Sequence, residues 1–296
     1  MKILSLGSLN LDFVYKVDHF VQAGETIAAR ERNQFCGGKG LNQSIALARA
    51  GAEVFHAGKI GADGEVLRKR LEDNGVDVSR VVVEPGVPTG HAIIQVDPCG
   101  QNSIIICGGA NVAITREFID EALEGFGASD ILLLQNETSE IGYAIEKATQ
   151  KGMGVALNPS PLDDALKNSS QLQNIDWFIL NEIEGHELTG KLEPHDICIE
   201  MRKRFPNCIV VLTLGSDGVV YYDGENEFVQ KSFKVEPVDT TGAGDTFTGY
   251  FLSGIAEGMT APKALELACR AAAISVTRPG ASDSIPARDE VDSAKL

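Results

Sequence analysis

The segment 239–245, Asp-Thr-Thr-Gly-Ala-Gly-Asp, combines small residues with a carboxylate just before an apolar stretch that predicts a helix over 245–257. Small residues leave main-chain N–H groups accessible where a helix begins, and the helix dipole favours negative charge there. A helix cap would account for Asp245, but it would not require the run Gly242-Ala243-Gly244 before it. The segment therefore predicts a site for a polyanionic group beside a carboxylate base.

A second glycine-rich segment, Gly37-Gly38-Lys39-Gly40 with Asn42 shortly after it, precedes a predicted helix over 40–50. Glycines let a ligand approach the backbone closely, and the start of the helix offers free N–H groups. The segment lacks the G-x-x-x-x-G-K-[ST] pattern of a P-loop, and neither segment matches the G-x-G-x-x-G pattern of dinucleotide-binding folds. A ligand-binding loop and a tight strand-to-helix turn both remain possible here.

Polar residues follow two further predicted strands, at the position where parallel α/β sheets bind ligands. Asn181 and Glu184 come after strand 176–180, and their oxygens could hold a hydrated Mg²⁺ ion, although Asn181 could equally cap the next helix. The segment 213–218, Thr-Leu-Gly-Ser-Asp-Gly, comes after strand 208–213. It could contact a ligand or form a hairpin turn.

Three polar side chains near other strand ends, Asn10, Asp12 and Glu137, are candidates for binding a sugar. A sugar needs carboxylates and amides that accept from and donate to adjacent hydroxyls. Each of these residues taken alone is more typical of a turn. Their value as candidates depends on whether the fold brings them together.

Strands and helices alternate along most of the chain, which predicts a mostly parallel central sheet covered by helices on both faces. A predicted hairpin over 89–107 and short strands within 12–35 interrupt the alternation and predict a small antiparallel sheet. Since no Gly-, Ser- or Pro-rich linker divides the chain, we expect one α/β domain over 1–296 with a β lid formed by about 12–35 and 89–107. The predicted strands are 2–6, 12–17, 27–35, 53–58, 80–84, 89–97, 101–107, 130–134, 153–157, 176–180, 208–213, 218–222 and 227–234, and the predicted helices are 40–50, 64–74, 115–124, 139–151, 182–189, 196–204, 245–257 and 261–276.

The composition is typical of a folded protein that binds neither nucleic acid nor membranes. Its 296 residues can bury a large core without disulfide or metal staples, and 42 acidic against 26 basic residues give a net charge of −16, which repels nucleic acid and anionic lipid. None of the six cysteines forms a C-x-x-C pair, and we find no signal peptide and no apolar run of 18 residues, so we expect a reduced, cytoplasmic protein. The last residues, Ala294-Lys295-Leu296, lie one substitution from a peroxisomal S-K-L address, but a polar tail is the simpler interpretation.

Taken together, these segments resemble the ribokinase family of carbohydrate kinases, also called the phosphofructokinase-B type, from about residue 3 to about residue 286. The most specific match is DTTGAGDTFTGYF at 239–251, which is similar to the C-terminal signature of the family. FCGGKGLNQ at 35–43 is similar to its N-terminal signature. One small departure is Ala23, which stands where the family usually has proline. Further matching segments are GSLNLD (7–12), AGET (23–26), GGAN (108–111), NPSP (158–161), LNEIE (180–184), TLGSDG (213–218) and AISVTRPGA (273–281).

The resemblance implies a three-layer fold with a β lid, a homodimer formed through the lid, and transfer of the γ-phosphoryl group of ATP to O5 of D-ribose. Asp245 would be the general base, and the amides of Gly242, Ala243 and Gly244 would form the anion hole. The implied sugar ligands are Asn10, Asp12, Gly38, Lys39, Asn42, Glu137 and Asp245, and the implied ATP ligands are Asn181, Thr213, Gly215, Ser216, Gly218 and Gly244. A K⁺ ion would lie by Asp239, Thr241, Val276, Gly280 and Ser284, and Glu184, with Asn181, would hold Mg²⁺ through water.

Other readings stay open beside this one. A related kinase could act on another small sugar, a sugar phosphate or a nucleoside, but the segment 89–107 has no Phe, Tyr or Trp to hold a base and few cations to hold a phosphate. A sugar-binding regulator without catalysis would have no reason to keep Asp245 and the Gly-Ala-Gly run. An oxidoreductase is disfavoured because the dinucleotide fingerprint is missing.

Overall fold

Short apolar runs form the strands of two sheets in the computed structural model, which describes residues 1–296. The larger sheet has nine strands, in the order β13-β12-β11-β10-β9-β8-β1-β4-β5, and the smaller has four, in the order β3-β2-β6-β7. In chain order the strands are β1 (Lys2–Leu6), β2 (Asn10–Lys16), β3 (Glu31–Gly37), β4 (Glu53–Ile60), β5 (Asp77–Val83), β6 (Gly90–Val96), β7 (Asn102–Cys107), β8 (Ile131–Gln135), β9 (Gly154–Asn158), β10 (Trp177–Asn181), β11 (Ile209–Thr213), β12 (Val219–Tyr222) and β13 (Glu227–Gln230).

Helices cover both faces of the larger sheet, which confirms the predicted three-layer architecture. Successive side chains of a strand enter opposite layers of core, as Ile3 and Leu4 of β1 do. Because both faces are buried, the central strands are mostly apolar and do not alternate regularly with polar residues. The helices are α1 (Lys39–Arg49), α2 (Glu65–Glu72), α3 (Arg116–Ala122), α4 (Ile141–Gln150), α5 (Asp164–Lys167), α6 (Glu182–Thr189), α7 (Pro194–Arg204), α8 (Ala243–Ala256), α9 (Ala261–Ser275) and α10 (Arg288–Ser293), with 3₁₀ turns at Gly109–Ala113, Ser170–Asn174 and Gly215–Asp217.

The small sheet, made of β2, β3, β6 and β7, contains two antiparallel pairs, β2 with β3 and β6 with β7. Its central pair, β2 with β6, is parallel. The parallel pairing arises because β2 follows β1 and β6 follows β5, and β1 and β5 run in the same direction in the larger sheet. The small sheet therefore extends from the carboxyl ends of strands of the larger sheet.

The N-termini of α1 and α8 lie next to each other at the carboxyl edge of the larger sheet. At the start of α1, the Leu41 N–H donates to the Ser8 carbonyl just beyond β1, at 3.0 Å. The two helices pack closely because Gly249 of α8 has no side chain, and a Cβ there would overlap Ala46 of α1. This packing brings the two glycine-rich segments of the sequence to one place.

No helix of the structure is both long and apolar enough to cross a membrane. All six cysteines are free thiols. Burial raises the pKa of the Cys198 and Cys208 thiols to about 12, so both are neutral core residues.

Candidate active site

Asp245 lies in the first turn of α8, and only 7% of its surface is exposed. Its Oδ2 accepts a hydrogen bond from Asn42 Nδ2 at 2.9 Å, and its Oδ1 accepts one from Gln43 Nε2 at 2.9 Å. Both donors are on α1, so the N-terminal glycine-rich segment and the C-terminal one meet at a single carboxylate. Gln43 was not among the residues identified from the sequence.

Main-chain amides surround the start of α8. Gly242 adopts a left-handed conformation with φ of 74°, which turns the chain into the helix. The N–H groups of Gly242, Gly244 and Asp245 donate to no acceptor in the protein, whereas the Ala243 N–H donates to the Thr240 carbonyl at 3.3 Å. The anion-hole role of Gly242, Ala243 and Gly244 stays a prediction, and the amide of Asp245 is a further free donor that the sequence analysis did not name.

The start of α8 is not crowded by other atoms at Gly244. A Cβ at Gly244 would meet no atom within 4 Å, so this side of the helix start is open. Free amides at a helix N-terminus bind anions because the N–H groups and the helix dipole act together. The arrangement can therefore hold a phosphoryl group next to the Asp245 carboxylate.

Glu137, just after β8, is tied to the other glycine-rich segment. Its Oε2 accepts hydrogen bonds from the Lys39 N–H at 3.1 Å and from the Ser8 hydroxyl. Gly38 has φ of 96° and leaves the Ser8 carbonyl only 2.9 Å from where a Cβ would lie. A side chain at position 38 would be strained in φ and crowded by backbone, so glycine is required there.

Asn10 and Asp12, both on β2, also face this region. Asn10 is buried, and its Oδ1 accepts from Asn111 Nδ2 at 2.7 Å. Asn111 is itself fixed because its Oδ1 accepts from the Leu9 N–H at 3.0 Å. The Asp12 carboxylate lies over Gly37, where a Cβ would overlap it. Asn111, which lies in the GGAN segment, therefore positions Asn10. The sequence analysis named that segment but gave Asn111 no role.

Lys39 supplies a positive charge within this acidic cluster. Burial opposes its charged form, but Asp245, Glu137 and Glu184 together raise the pKa of Lys39 above its ordinary value. The lysine is therefore protonated at neutral pH. A chain with a net charge of −16 thus keeps a cation where negative groups converge.

We expect the replacement Asp12→Asn to change how stability depends on pH. Burial, followed by the negative charge of Glu137, raises the pKa of Asp12 from 3.8 to about 6. Between these values the folded state holds a proton that the unfolded state releases, so stability falls as pH rises from about 4 to about 6. Asp12→Asn removes this loss and is expected to stabilise the protein by about 2–3 kcal/mol at pH 8 but hardly at pH 4. Urea unfolding of both proteins at the two pH values measures this, and parallel profiles would contradict it.

Asn181 and Glu184, at the start of α6, form a reciprocal capping box. The Glu184 N–H donates to Asn181 Oδ1 at 2.9 Å, and the Asn181 N–H donates to Glu184 Oε2 at 3.0 Å. Asn181 is therefore an N-cap, one of the two interpretations that the sequence left open. Glu184 is 6% exposed and keeps Oε1 unbonded, and a carboxylate oxygen of this kind suits the hydrated coordination of Mg²⁺.

The segment 213–218 turns the chain from β11 to the antiparallel β12. Gly215 and Gly218 have φ of 55° and 109°, and a Cβ at Gly218 would overlap the backbone of β13. The Thr213 hydroxyl donates to the Leu180 carbonyl at 3.3 Å, and the Ser216 carbonyl accepts from Ser232. The hairpin turn is thus present, and the nucleotide-binding role of Thr213, Gly215, Ser216 and Gly218 stays a prediction.

Asp239 joins two segments that would supply the K⁺ ligands. Its Oδ1 accepts from the Thr241 N–H and its Oδ2 from the Gly280 N–H, both at 2.9 Å. Burial opposes ionisation, but these hydrogen bonds lower the pKa of Asp239 below its ordinary value. Oxygen donors here suit a hard cation, although the Val276 carbonyl already accepts two N–H groups. Ser284, which donates to the Ala281 carbonyl at 2.8 Å, keeps its lone pairs available.

A buried carboxylate beside free helix-start amides, at the carboxyl edge of a mostly parallel sheet, defines a class of enzyme that transfers phosphoryl groups to alcohols. Comparison with known families agrees with that class. The pfkB family of carbohydrate kinases matches residues 1–288 of the chain. This protein belongs to the pfkB carbohydrate kinase family, and it is a phosphotransferase that acts on a sugar hydroxyl.

Individual relatives match nearly the whole chain. The ribokinase of Bacillus subtilis is 36% identical over 297 residues, which cover 98% of each chain. A deoxyribokinase of Salmonella typhi is 31% identical over 300 residues, which cover 98% of this chain and 97% of the relative. The structure of Arabidopsis thaliana ribokinase complexed with ribose and ATP has a TM-score of 0.87 at 31% identity and covers 98% of this chain and 97% of the other. These likenesses extend over both sheets and confirm the predicted fold class.

Proposed function

We propose that this enzyme transfers the γ-phosphoryl group of ATP to O5 of D-ribose and produces ribose 5-phosphate and ADP. The observation that supports this most directly is the Asp245 carboxylate, held by Asn42 and Gln43 beside the free amides of Gly242 and Gly244. The similarity to ribokinases, one of them complexed with ribose and ATP, supports the choice of substrates.

In this mechanism the sugar O5 hydroxyl donates its proton to the Asp245 carboxylate as O5 attacks the γ-phosphorus. A P–O bond forms to O5, and the bond between the γ-phosphorus and the bridging oxygen of ADP breaks. The free amides of Gly242, Gly244 and Asp245 stabilise the charge on the transferring group. Lys39, which interacts electrostatically with Asp245, Glu137 and Glu184, would add a positive charge to the same site.

The sugar would bind among Asp12, Glu137, Asn10 and Asn42. Asn42 supports this placement because its Oδ1 is buried without a hydrogen-bond partner, so it is available to accept from a hydroxyl. Burial has removed water from the half-buried Asp12 carboxylate, so a hydrogen bond donated by a sugar hydroxyl would stabilise it. Gly38 would let the sugar approach the backbone closely.

Two cations complete the proposal. Glu184, next to Asn181, would hold Mg²⁺ through water, and the ion when bound would neutralise phosphate charge. The oxygens of Asp239, Thr241, Gly280 and Ser284 would hold K⁺, with the engaged Val276 carbonyl as the weakest of the predicted ligands.

The small sheet is proposed to act as a lid on the sugar and to form a homodimer with a second copy. Its strands expose apolar side chains that a monomer would leave in water, among them Ile105 and Ile106, each 61% exposed. Water excluded by a closed lid could not act as a competing phosphoryl acceptor. Light scattering of the purified chain tests the dimer, and a monomer at micromolar concentration would refute it. With all six cysteines free, the protein suits the reducing cytoplasm.

The experiment that tests the proposed function is ATP turnover against ribose, deoxyribose, fructose, tagatose 6-phosphate and nucleosides, each with and without K⁺. We expect the highest kcat/KM for ribose and a stimulation by K⁺. A preference for deoxyribose, as the name of the Salmonella relative suggests, or for another acceptor would keep the phosphotransferase and reject the substrate. Sugar binding without any turnover would favour a non-catalytic regulator.

A further inference from the structure

We infer that Gln43 is a positioning residue for the catalytic base, held in one orientation by a buried chain of amide side chains. The inference rests on the proposed role of Asp245. Gln43 lies on α1 and is completely buried, as is Gln135 at the end of β8. Asn158, at the end of β9, is the third amide of the chain.

The orientation of these amides is fixed from one end. Asn158 Nδ2 donates to the Ile179 carbonyl at 2.8 Å, and a carbonyl can only accept. The oxygen of Asn158 must therefore face Gln43, where it accepts from Gln43 Nε2 at 3.2 Å. This places the NH₂ group of Gln43 towards Asn158 and Asp245.

The oxygen of Gln43 has a partner of its own. Gln43 Oε1 accepts from Gln135 Nε2 at 2.8 Å, whereas a flipped Gln43 amide would place its oxygen against two acceptors, Asn158 Oδ1 and Asp245 Oδ1. Both N–H groups of Gln43 are then used, one on Asn158 and one on Asp245 Oδ1 at 2.9 Å. With the other N–H group and the oxygen of Gln43 engaged by Asn158 and Gln135, the remaining N–H group is directed at the base.

The hydrogen bond from Gln43 restricts the rotation of the Asp245 carboxylate, which matters for the reaction. A carboxylate held through one oxygen only can turn about its Cβ–Cγ bond, and a base must be aligned with the hydroxyl that it deprotonates. Asn42 holds the second oxygen, but Asn42 Oδ1 is unpaired, so the bond to Asp245 is the one hydrogen bond of that side chain and no further partner fixes it. Gln43 is therefore the rigid side of the clamp, and it acts through neutral donors that leave the carboxylate its charge.

The test compares Gln43→Met, which keeps the shape of the side chain and removes its donors, with the wild-type enzyme. We expect kcat to fall about tenfold or more while KM for ribose and for ATP each change less than about threefold. Gln43→Glu places a second carboxylate against Asp245, and its kcat is expected to fall further than that of Gln43→Met. Ser44→Ala is the matched control, because Ser44 is the next buried polar residue of α1 and its hydroxyl bonds His56, away from Asp245. It is expected to lose stability and keep kcat.

A double-mutant cycle separates positioning from packing. In an Asp245→Asn background, Gln43→Met should lower the residual rate less than about twofold, because no base remains to be aligned. An unchanged kcat in Gln43→Met alone, or an equal loss in both backgrounds, would overturn the inference. Full activity of Asp245→Asn would instead overturn the proposed role of Asp245 as the base, and failure of the substrate panel would overturn the proposed function, so these failures are distinguishable from that of the inference.

Discussion

Replacing Asp245 by asparagine is expected to lower kcat at least about 10²-fold, since the carboxamide cannot take up the proton of the sugar hydroxyl. Sugar and nucleotide binding should survive in large part. Steady-state assays with ribose and ATP measure the loss, and calorimetric titration measures the binding that remains. Activity within a few-fold of the wild-type value would remove Asp245 as the base.

The surroundings of Asp245 allow this substitution without unfolding the site. Gln43 is fixed with its NH₂ group towards position 245, so the oxygen of the new carboxamide would face it. The new NH₂ group would then face Asn42, whose own Oδ1 lacks a partner and can rotate into place to accept. Both hydrogen bonds are therefore retained in the variant. The control is thermal unfolding: a Tm close to that of the wild-type protein would show that the lost activity reflects the chemistry and not unfolding.

Local patterns in the sequence predicted the fold class and the principal site because each depends on neighbours in the chain. The alternation of strands and helices can be recognised from local periodicity, and the run Gly242-Ala243-Gly244 before Asp245 indicates a helix start from neighbouring residues alone. The structure confirms the layers. It also shows that α8 begins at Ala243, two residues before the predicted start, since Gly242 already turns the chain.

Contacts between distant segments could not be predicted in the same way. Gln43 and Asp245 are 202 residues apart, and nothing near Gln43 in the sequence indicates which carboxylate it meets. The predicted strand 27–35 was displaced from the observed β3, Glu31–Gly37, because pairing with β2 and not local composition sets its ends. The parallel pairing of β2 with β6 likewise depends on the direction of strands in the other sheet.

Some signals were present in the sequence and were passed over. The helix α5 begins after Asp163, whose Oδ1 accepts from the Leu166 N–H at 2.7 Å, a capping pattern readable from residue type. Asn181 shows the opposite case. Its two possible roles are alike in sequence, and only the reciprocal hydrogen bonds with Glu184 identify the cap.

Adding one methyl group at Gly40 is expected to disable the site from a position that does no chemistry. A Cβ at Gly40 would lie 2.5 Å from the carbonyl carbon of Gly7 and from the N atom of Ser8, both backbone atoms of the segment after β1. Backbone cannot rotate aside as a side chain can, so α1 must shift away from the sheet. We expect Gly40→Ala to destabilise the protein by about 2–3 kcal/mol, as overpacking of a rigid contact does.

The same shift would reach the catalytic carboxylate. Asn42 and Gln43, two and three residues further along α1, both hold Asp245, and a displacement of about 1 Å in such a site can cost about 10² in rate. Urea unfolding and steady-state kinetics measure the two effects together. Gly127→Ala is the matched control, because a Cβ there would meet no atom within 4 Å. If Gly40→Ala kept the kcat of that control, close contact between α1 and the end of β1 would not be what aligns the base.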